Sequence, residues 1–430
     1  MKFSFKNKNV NPWQYLILSF SLLILFGSVL LQLPFVTHLQ GVSAIDAVFT
    51  ATSAICVTGL TTIPTSGFNT AGQLSILLLI QLGAIGIMTL TSSFLLALKG
   101  SISLKHKISF SKLQENYEIQ DANNILKQIL RITFITEFIG FVLLSIGFLL
   151  EGLPFTTALY QGFFHSISAF CNAGFSTYDS SIIGLNPLIK ISIILLIIMG
   201  GLGYFVIFEW LETQKGNRKL SLHSKIVLLM TTALIIIGTI LLYLFESGNM
   251  TILDSFFQSV TTRTAGFNSV DLTQLSNVSI FLMLILMFIG GSPGSTAGGI
   301  KTTTFFIIIY SIVSLLKGKT EFVIFNRSIP LKVVVKAFAT AVMYFVIVSV
   351  GVILLLEESK IPLKESLFEA ISAMGTVGLT IGVTSNLDGF GKIVLILLMF
   401  IGRLGPASLA MATLSKEKEV KIKYPKGNIY

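Results

Sequence analysis

The sequence predicts an all-α, polytopic membrane protein in which four pseudo-symmetric repeats surround one central pore per chain. Of 430 residues, 53% are hydrophobic and only 12% are charged, whereas a soluble domain carries about 25% charged residues. The apolar residues also occur in runs of about 20, a length that crosses a bilayer core of ~30 Å. A glycine-containing segment recurs four times along the chain, and internal repetition of this kind decides the architecture before any local pattern does.

Eight apolar blocks account for the predicted spans. They cover residues 15–33, 73–98, 127–150, 186–211, 226–245, 277–316, 332–356 and 390–413. Lysine and arginine cluster before the first block, after every second block and in the C-terminal tail. Because positively charged loops stay in the cytoplasm, both termini are predicted to be cytoplasmic. The net charge of +10 is explained by these loops, and we infer no nucleic-acid site from it.

Four similar segments lie in the alternate connections, which the same rule places outside the cell. They read FTATSAICVTGLTT (49–62), FHSISAFCNAGFST (164–177), FQSVTTRTAGFNS (257–269) and FEAISAMGTVGLTI (368–381). The third is one residue shorter between its phenylalanine and its glycine. Each begins with an amphipathic stretch, predicted as a short pore helix, and ends in Gly-Leu or Gly-Phe.

The repeat unit is therefore a span, a pore helix, a glycine loop and a second span. Its four copies are predicted at 1–98, 99–211, 212–317 and 318–413, and a basic cytoplasmic tail follows at 414–430. The second copy starts with a basic cytoplasmic linker, and the third contains a broken helix. Re-entrant segments are tolerated at membrane depth only where they are buried in protein or line a water-filled cavity. Four copies around one axis would supply such a cavity.

The glycine loops contain no acid or base, and what they offer a ligand is backbone carbonyl oxygen. Rings of carbonyls that replace the hydration shell of an ion form the filters of potassium channels. The C-terminal dipole of each pore helix also favours a cation. We therefore predict K+ at the filter carbonyls, and the residues assigned to this ion-binding filter are Val57, Thr58, Gly59, Asn172, Ala173, Gly174, Thr264, Ala265, Gly266, Thr376, Val377 and Gly378.

Side chains beside the loops are interpreted as structural. Cys56 and Cys171 occupy the same column of the aligned segments, three residues before the glycine, and are predicted to pack behind the filter. Arg263 lies in that column too, and we expect it to pair with Asp254 or Asp271. Glu137, a charge inside an apolar span, is expected to be structural and paired with Arg131. No set of residues predicts a catalytic centre, so we expect the protein not to be an enzyme.

The segment GGSPGSTAGG (290–299) interrupts an apolar block twice the length that a bilayer requires. A phosphate-binding loop is rejected, because Ile300 separates the last glycine from Lys301 and no strand precedes it. A serine nucleophile at Ser292, in a Gly-x-Ser-x-Gly pattern, lacks a histidine at membrane depth to act as its base. The remaining interpretation is an unwound, mobile segment of a broken helix on the conduction path. Arg403, inside the last apolar block, either reaches the cytoplasmic interface or has a function there.

These motifs resemble those of the TrkH/TrkG/KtrB superfamily of cation transporters, and within it the KtrB branch of membrane subunits from bacterial Ktr potassium uptake systems. The resemblance covers nearly the whole chain and is carried by CVTGLTT, FHSISAFCNAGFS, SVTTRTAGFN, ISAMGTVGLT and GGSPGSTAGGIKTTT. It implies channel-like potassium uptake at the bacterial cell membrane, stimulated by sodium. It also implies an intramembrane gate, whose residues here are Gly290, Gly291, Ser292, Pro293, Gly294, Ser295, Thr296, Ala297, Gly298, Gly299 and Arg403.

The resemblance also implies partners and excludes a covalent cofactor. A homodimer of the membrane subunit and a cytosolic KtrA-like ring that binds ATP or ADP are expected, so that a nucleotide acts only through the partner. Na+ is the expected activator or coupling ion. Two alternatives remain open: a secondary cation carrier that uses broken helices, and an intramembrane serine hydrolase. Inverted repeats would favour the carrier, but the four repeats share one orientation.

Overall fold

The structure is a computed structural model that describes residues 12–37, 41–100, 122–216, 219–246, 248–319, 321–357 and 360–406. The predicted N-terminal basic cluster (Lys2, Lys6 and Lys8), most of the basic linker of the second repeat and the tail 414–430 lie outside the described residues. The described part of the chain is mainly helical. Its only sheet is a two-stranded hairpin of β1 (Val323–Ile324) and β2 (Arg327–Ser328).

Three helices follow one another four times; the middle helix of each set, 10 to 16 residues in length, is called the short helix here and its two neighbours the long helices. The first set is α1 (Pro12–Leu31), α2 (Ala44–Ile55) and α3 (Thr70–Gly100). The second is α4 (Ala122–Leu150), α5 (Phe155–Phe170) and α6 (Pro187–Leu202), continued by α7 (Tyr204–Gln214). The third is α8 (Leu222–Phe245), α9 (Ile252–Thr261) and α10 (Asn277–Phe288), followed by α11 (Thr302–Leu316). The fourth is α12 (Leu331–Glu357), α13 (Leu363–Gly375) and α14 (Gly389–Leu404).

The short helices begin in two ways that alternate along the chain. In α2 and α9 a hydroxyl residue caps the first turn: Ser43 Oγ accepts from the N–H of Asp46 at 3.2 Å, and Thr251 Oγ1 accepts from the N–H of Asp254 at 3.0 Å. Such caps satisfy backbone donors that have no partner inside a helix. In α5 and α13 a proline precedes the first helical residue, and its fixed φ favours the start of a helix.

The long helices differ in their capacity to span a membrane. By length and composition, three described helices suffice: Leu126–Leu150, Leu222–Phe245 and Leu331–Glu357. The pair α6 and α7 forms a fourth candidate, bent by 98°. The other apolar helical stretches among the described residues are 10–17 residues long and include Leu16–Leu31, Thr70–Gly86 and Asn277–Phe288, so the eight predicted spans correspond to apolar stretches of unequal length.

Large apolar side chains are exposed along the long helices, whereas hydroxyl side chains of the short helices are buried beside an apolar core. On the long helices α1, α4 and α12, Leu25 is 62% exposed, Phe138 65% and Phe345 64%. The short helices instead bury hydroxyl residues, including Ser53 and Ser168, completely. Contiguous exposed apolar surface of this kind indicates contact with an apolar medium. The short helices thus form an inner layer, surrounded by the long ones.

Buried ion pairs join the inner layer to the helices of the preceding set. Lys190 on α6 lies 2.6 Å from Asp254 on α9, and Lys392 on α14 lies 2.7 Å from Asp46 on α2. The first pair joins the second set to the third, and the second pair joins the fourth set back to the first. Between the first and second sets the described contacts are hydrogen bonds without an ion pair; for example, Tyr160 donates to Gln73 Oε1 at 2.6 Å.

Removing one member of a buried pair should destabilise the protein. Both side chains of the pair Lys190–Asp254 are 11% exposed, so Lys190→Met leaves an uncompensated carboxylate, at a cost of about 3–5 kcal/mol. We expect a lower unfolding temperature of the detergent-purified protein, measured by fluorescence-detected size exclusion after heating. The control is Lys215→Ala, because the Lys215–Glu212 pair is 66% and 22% exposed and contributes at most about 1 kcal/mol. Equal unfolding temperatures of the two variants would contradict this prediction.

Candidate functional site: four glycine loops and a Gly-rich segment

The four short helices end in loops with the same unusual backbone. The residue two positions before each glycine has a positive φ: 55° at Val57, 59° at Asn172, 73° at Thr264 and 48° at Thr376. Asparagine tolerates this left-handed region, but for β-branched valine and threonine it is a genuine outlier. The glycines also have positive φ, between 71° and 101°. Strained residues of this kind persist only where the surrounding structure holds them, and they concentrate at functional sites.

A recurring backbone hydrogen bond holds each loop to its helix. The N–H of the residue before the glycine donates to a carbonyl in the last helical turn. The pairs are Thr58 to Ser53 (2.8 Å), Ala173 to Ser168 (2.8 Å), Ala265 to Thr261 (2.9 Å) and Val377 to Ser372 (2.8 Å). In the first, second and fourth loops the acceptor lies five residues before the donor, and in the third loop it lies four residues before it. The shorter third segment therefore keeps the same fold by using a tighter turn.

A column of hydroxyl side chains, which the sequence interpretation missed, supports the other end of each loop. Three of them donate to the carbonyl of the residue after the glycine: Ser168 to Phe175 (2.7 Å), Thr261 to Phe267 (2.8 Å) and Ser372 to Leu379 (2.6 Å). In the first loop Ser53 Oγ accepts from the N–H of Gly59 at 3.1 Å. The signal was present in the aligned segments, where Ser-Ala occupies this column in three of the four copies.

The four loops touch one another in a closed ring that follows chain order. A Cβ added to any of the four glycines would lie under 3.0 Å from a backbone carbonyl oxygen of the next loop. Gly59 faces the carbonyl of Ala173, Gly174 that of Ala265, Gly266 that of Val377, and Gly378 that of Thr58. The oxygen in every case belongs to the residue that precedes the next glycine. Glycine is therefore required here, because any side chain would collide with this ring of oxygens.

A second set of glycines packs the following helices against the ends of the short ones. A Cβ at Gly83, Gly200 or Gly402 would collide with the carbonyl of Ile55, Phe170 or Met374, respectively. In the third set the corresponding residue is Gly290, which instead faces the carbonyl of Gly298. There the glycine contacts the Gly-rich segment (residues 290–299) itself and not the end of the short helix α9.

The Gly-rich segment is closed at its base and mostly buried. The N–H of Gly290 donates to the carbonyl of Ile300 at 2.9 Å, and the N–H of Thr302 donates to that of Gly291 at 3.0 Å. Between these bonds the chain leaves α10 and returns to α11 without helical structure. The hydroxyl of Ser292 donates to the carbonyl of Leu202. That hydroxyl thus serves to anchor the segment.

Contacts join the Gly-rich segment to two other sets of helices. The N–H groups of Ser292 and Thr296 donate to the carbonyls of Gly201 (3.0 Å) and Gly200 (3.3 Å). Thr296 Oγ1 donates to the carbonyl of Phe170, at the end of α5, at 3.3 Å. On the other side, Gly298 lies against the Thr376 side chain of the fourth loop. The segment therefore lies between the second and fourth sets, directly beside the ring of glycine loops.

Three cationic side chains donate to carbonyls of the Gly-rich segment. Arg403 is 5% exposed and donates from Nη1 to the carbonyl of Thr296 and from Nη2 to that of Gly83, the latter at 3.4 Å. Lys301 Nζ donates to the carbonyl of Ala297 at 2.7 Å. Arg263 Nη2 lies 3.5 Å from the carbonyl of Gly290. Arg403 is thus buried against the segment and does not reach a polar surface.

The predicted pairing of Arg263 with a carboxylate is wrong. Asp254 is bound by Lys190, and Asp271 accepts from the hydroxyl of Thr273 at 2.7 Å. The side-chain and backbone donors of Thr273 hold the pKa of Asp271 below its ordinary value. Besides Gly290, the guanidinium of Arg263 reaches Thr231 Oγ1 at 3.5 Å. Arg263 lies in the turn after α9, and its side chain reaches the Gly-rich segment, which sequence spacing alone did not indicate.

The predicted pair of Glu137 and Arg131 is also wrong. Glu137 is buried and accepts from Gln81 Nε2 through both carboxylate oxygens, at 2.9 and 3.1 Å. Arg131 is exposed, because six residues along a helix lie on different faces. Cys171 donates to Gln81 Oε1 at 3.2 Å. Cys56 and Cys171 are both buried free thiols.

Comparison with known proteins gives a consistent result. A sequence model described as TrkH, cation transport protein, matches residues 13–422. The Ktr system potassium uptake protein B of Bacillus subtilis is 37% identical over 97% of this chain and 96% of its own length. The potassium/sodium uptake protein NtpJ of Enterococcus hirae is 37% identical over 98% and 97%. The crystal structure of the potassium transporter TrkH from Vibrio parahaemolyticus has the same fold, with a TM-score of 0.76 at 20% identity, covering 96% of this chain and 87% of that one.

The hydroxyl of Ser372 should be required for a stable fourth loop. Ser372→Ala removes the donor to the Leu379 carbonyl and the acceptor for the N–H of Gly378, which lies 3.2 Å away. Buried groups left without partners cost about 1–3 kcal/mol, so we expect a lower unfolding temperature of the purified protein. Ser372→Thr is the matched control, since it keeps the hydroxyl. An unfolding temperature of Ser372→Ala equal to that of the wild type would contradict the role assigned to this column.

Proposed function

The chain belongs to the TrkH family of cation transport proteins, and from this premise we propose that it takes up potassium through a pore at the centre of the four glycine loops. The ring of loops carries the proposal, because it gathers four backbone carbonyls from four parts of one chain. Potassium as the substrate is supported by the names of the two 37% identical relatives, which refer to potassium uptake and to potassium/sodium uptake. All relatives named above are transport proteins, which supports a role other than catalysis.

The carbonyls of Thr58, Ala173, Ala265 and Val377 would replace water around a dehydrated potassium ion. A monovalent cation loses its hydration shell only where oxygens of comparable polarity stand ready. The short helices end at the loops, so that their C-terminal dipoles add negative potential there. Each loop has a single filter glycine, and the residue before it is threonine, alanine or valine, which implies weaker discrimination against sodium than in a longer filter. Sodium as activator or coupling ion is part of the proposal.

The Gly-rich segment would act as the gate. It lies beside the ring and carries three cationic side chains on its carbonyls, Arg263, Lys301 and Arg403. Positive charge below a cation filter raises an electrostatic barrier to the passing ion. A segment without helical hydrogen bonds can move without unfolding a helix. Conduction then requires the segment and its charges to withdraw from the axis.

We also propose the assembly that the family resemblance implies. The protein would lie in the bacterial cell membrane as a homodimer with both termini in the cytoplasm. A KtrA-like cytosolic ring would bind the nucleotide and move the gate from outside the bilayer. The basic cytoplasmic connections and tail predicted from the sequence offer docking surfaces for such a ring.

Substitution of a ring glycine tests the filter. In a bacterium deficient in potassium uptake, Gly266→Ser should raise the KM for K+ or Rb+ by about tenfold or more, since a Cβ there lies 2.6 Å from the Val377 carbonyl and positive φ adds strain. The matched control is Gly248→Ser, because Gly248 has a φ of 92° with nothing within 4 Å. If Gly266→Ser leaves potassium affinity intact, the filter assignment is wrong.

Removal of the positive charge of Arg403 tests the proposal that the Gly-rich segment is a gate. Arg403→Ala, or deletion within 290–299, should raise Rb+ flux in proteoliposomes by roughly tenfold, the change produced by a barrier lower by about 1.4 kcal/mol. Assembly is checked by size exclusion. Arg131→Ala serves as control, since Arg131 is exposed on α4. Unchanged flux in both gate variants would count against a gate in this segment.

A further inference from the structure

One column of buried side chains lies behind the glycine loops and is not used in the proposed function. Its members directly follow the aligned phenylalanine at the start of each segment. They are Thr50, His165, Gln258 and Glu369, and all four are 0% exposed. Because the short helices occupy equivalent places in the four sets, these side chains occupy equivalent places behind the ring. Their chemistry nevertheless differs in every set.

In the fourth set the side chain is a carboxylate that holds the segment after the loop. Glu369 Oε1 accepts from the hydroxyl of Thr380, and Glu369 Oε2 accepts from the hydroxyl of Thr384 at 2.7 Å. Thr380 follows the ring glycine Gly378 by two residues. The two threonine hydroxyls also lie 3.0 Å apart. Both oxygens of one buried acid are therefore used on the chain that leaves the ring.

In the second set a histidine makes the corresponding contact. His165 Nε2 lies 2.9 Å from Ser176 Oγ, two residues after Gly174, and its Nδ1 lies 2.9 Å from the carbonyl of Gln161. In the first and third sets the column makes no such contact. Thr50 Oγ1 and both amide atoms of Gln258 are buried without a hydrogen-bond partner in the described ranges. The loops are thus fixed from behind at two opposite positions of the ring.

We propose that Glu369 is a positioning residue for the fourth glycine loop, fixing the spacing of its carbonyls and thereby the preference of the pore for potassium over sodium. The inference rests on the proposed function. A carboxylate is the side chain best suited to this place, because it accepts two hydrogen bonds at once. Without it, Thr380 loses the contact that fixes the chain two residues beyond Gly378.

Transport measurements on variants in a potassium-uptake-deficient bacterium test this role. Glu369→Ala should raise the KM for Rb+ by about tenfold, the effect of losing hydrogen bonds to a buried carboxylate, while the maximal rate per assembled protein changes less. Competition by Na+ should increase in parallel. Glu369→Gln should restore both values toward the wild type, because a glutamine side chain keeps the length and can still bond both threonine hydroxyls.

Thr50→Val is the matched control, since it changes the same column in a set where the side chain makes no hydrogen bond; its KM and sodium competition should equal those of the wild type. Wild-type values for Glu369→Ala would overturn the proposal, as would equal shifts in Glu369→Ala and Thr50→Val. A Glu369→Gln variant as impaired as Glu369→Ala would overturn it too, because charge and not positioning would then be responsible.

Two further measurements keep the test decisive. If Glu369→Ala does not assemble, Thr384→Val removes one donor and leaves the carboxylate; a smaller shift in the same direction is expected, and no shift overturns the proposal. Measuring Gly266→Ser in the same experiment distinguishes a failure of the role assigned to Glu369 from a failure of the proposed pore. If Gly266→Ser impairs Rb+ uptake and Glu369→Ala does not, the role of Glu369 alone is wrong. If the wild type takes up no Rb+, the proposed function itself fails.

Discussion

Backbone polar groups in the interior of a membrane protein must find partners, and the whole arrangement of this chain follows from that requirement. A short helix that ends at membrane depth exposes its last carbonyls where water is scarce. Here the N–H of the residue before each glycine donates to a carbonyl in the last helical turn. The hydroxyl column donates to carbonyls of the loops that follow. The oxygens that face the neighbouring glycines remain at the centre of the ring. In the proposed function, a permeating cation would be the partner of these oxygens.

The four sets of helices share this backbone arrangement of the loops but differ in the contacts that surround it. The Gly-rich segment replaces one close contact of helices in the third set, and the short third loop uses a tighter turn. Among the described residues, ion pairs between sets join the second set to the third and the fourth to the first. The side chains behind the ring differ in every set. The backbone near the axis therefore has approximate fourfold symmetry, whereas the surrounding side chains make different contacts in different sets.

Features that repeat in the sequence were predictable, and features that depend on helix rotation were not. The glycine segments could be aligned because each copy has its own phenylalanine and glycine at similar spacing, and the Gly-Pro content of 290–299 marked the interruption of an apolar run. The partners of Arg263 and Glu137 were mistaken, because one turn of a helix decides whether such a side chain meets a carboxylate, an amide or a carbonyl. The hydroxyl column was visible in the aligned segments. Its acceptors, the carbonyls after the ring glycines, are brought close to it only when each loop folds back on its helix.

The contact between the last long helix and the first short one has a consequence for biosynthesis. Lys392 and Asp46 are separated by 346 residues, and Gly378 faces the carbonyl of Thr58, so the seam between the fourth and first sets closes last. A nascent chain with three sets in place has an open side and no complete circle of oxygens. The ribosome thus synthesises nearly the entire protein before the ring of four loops can close.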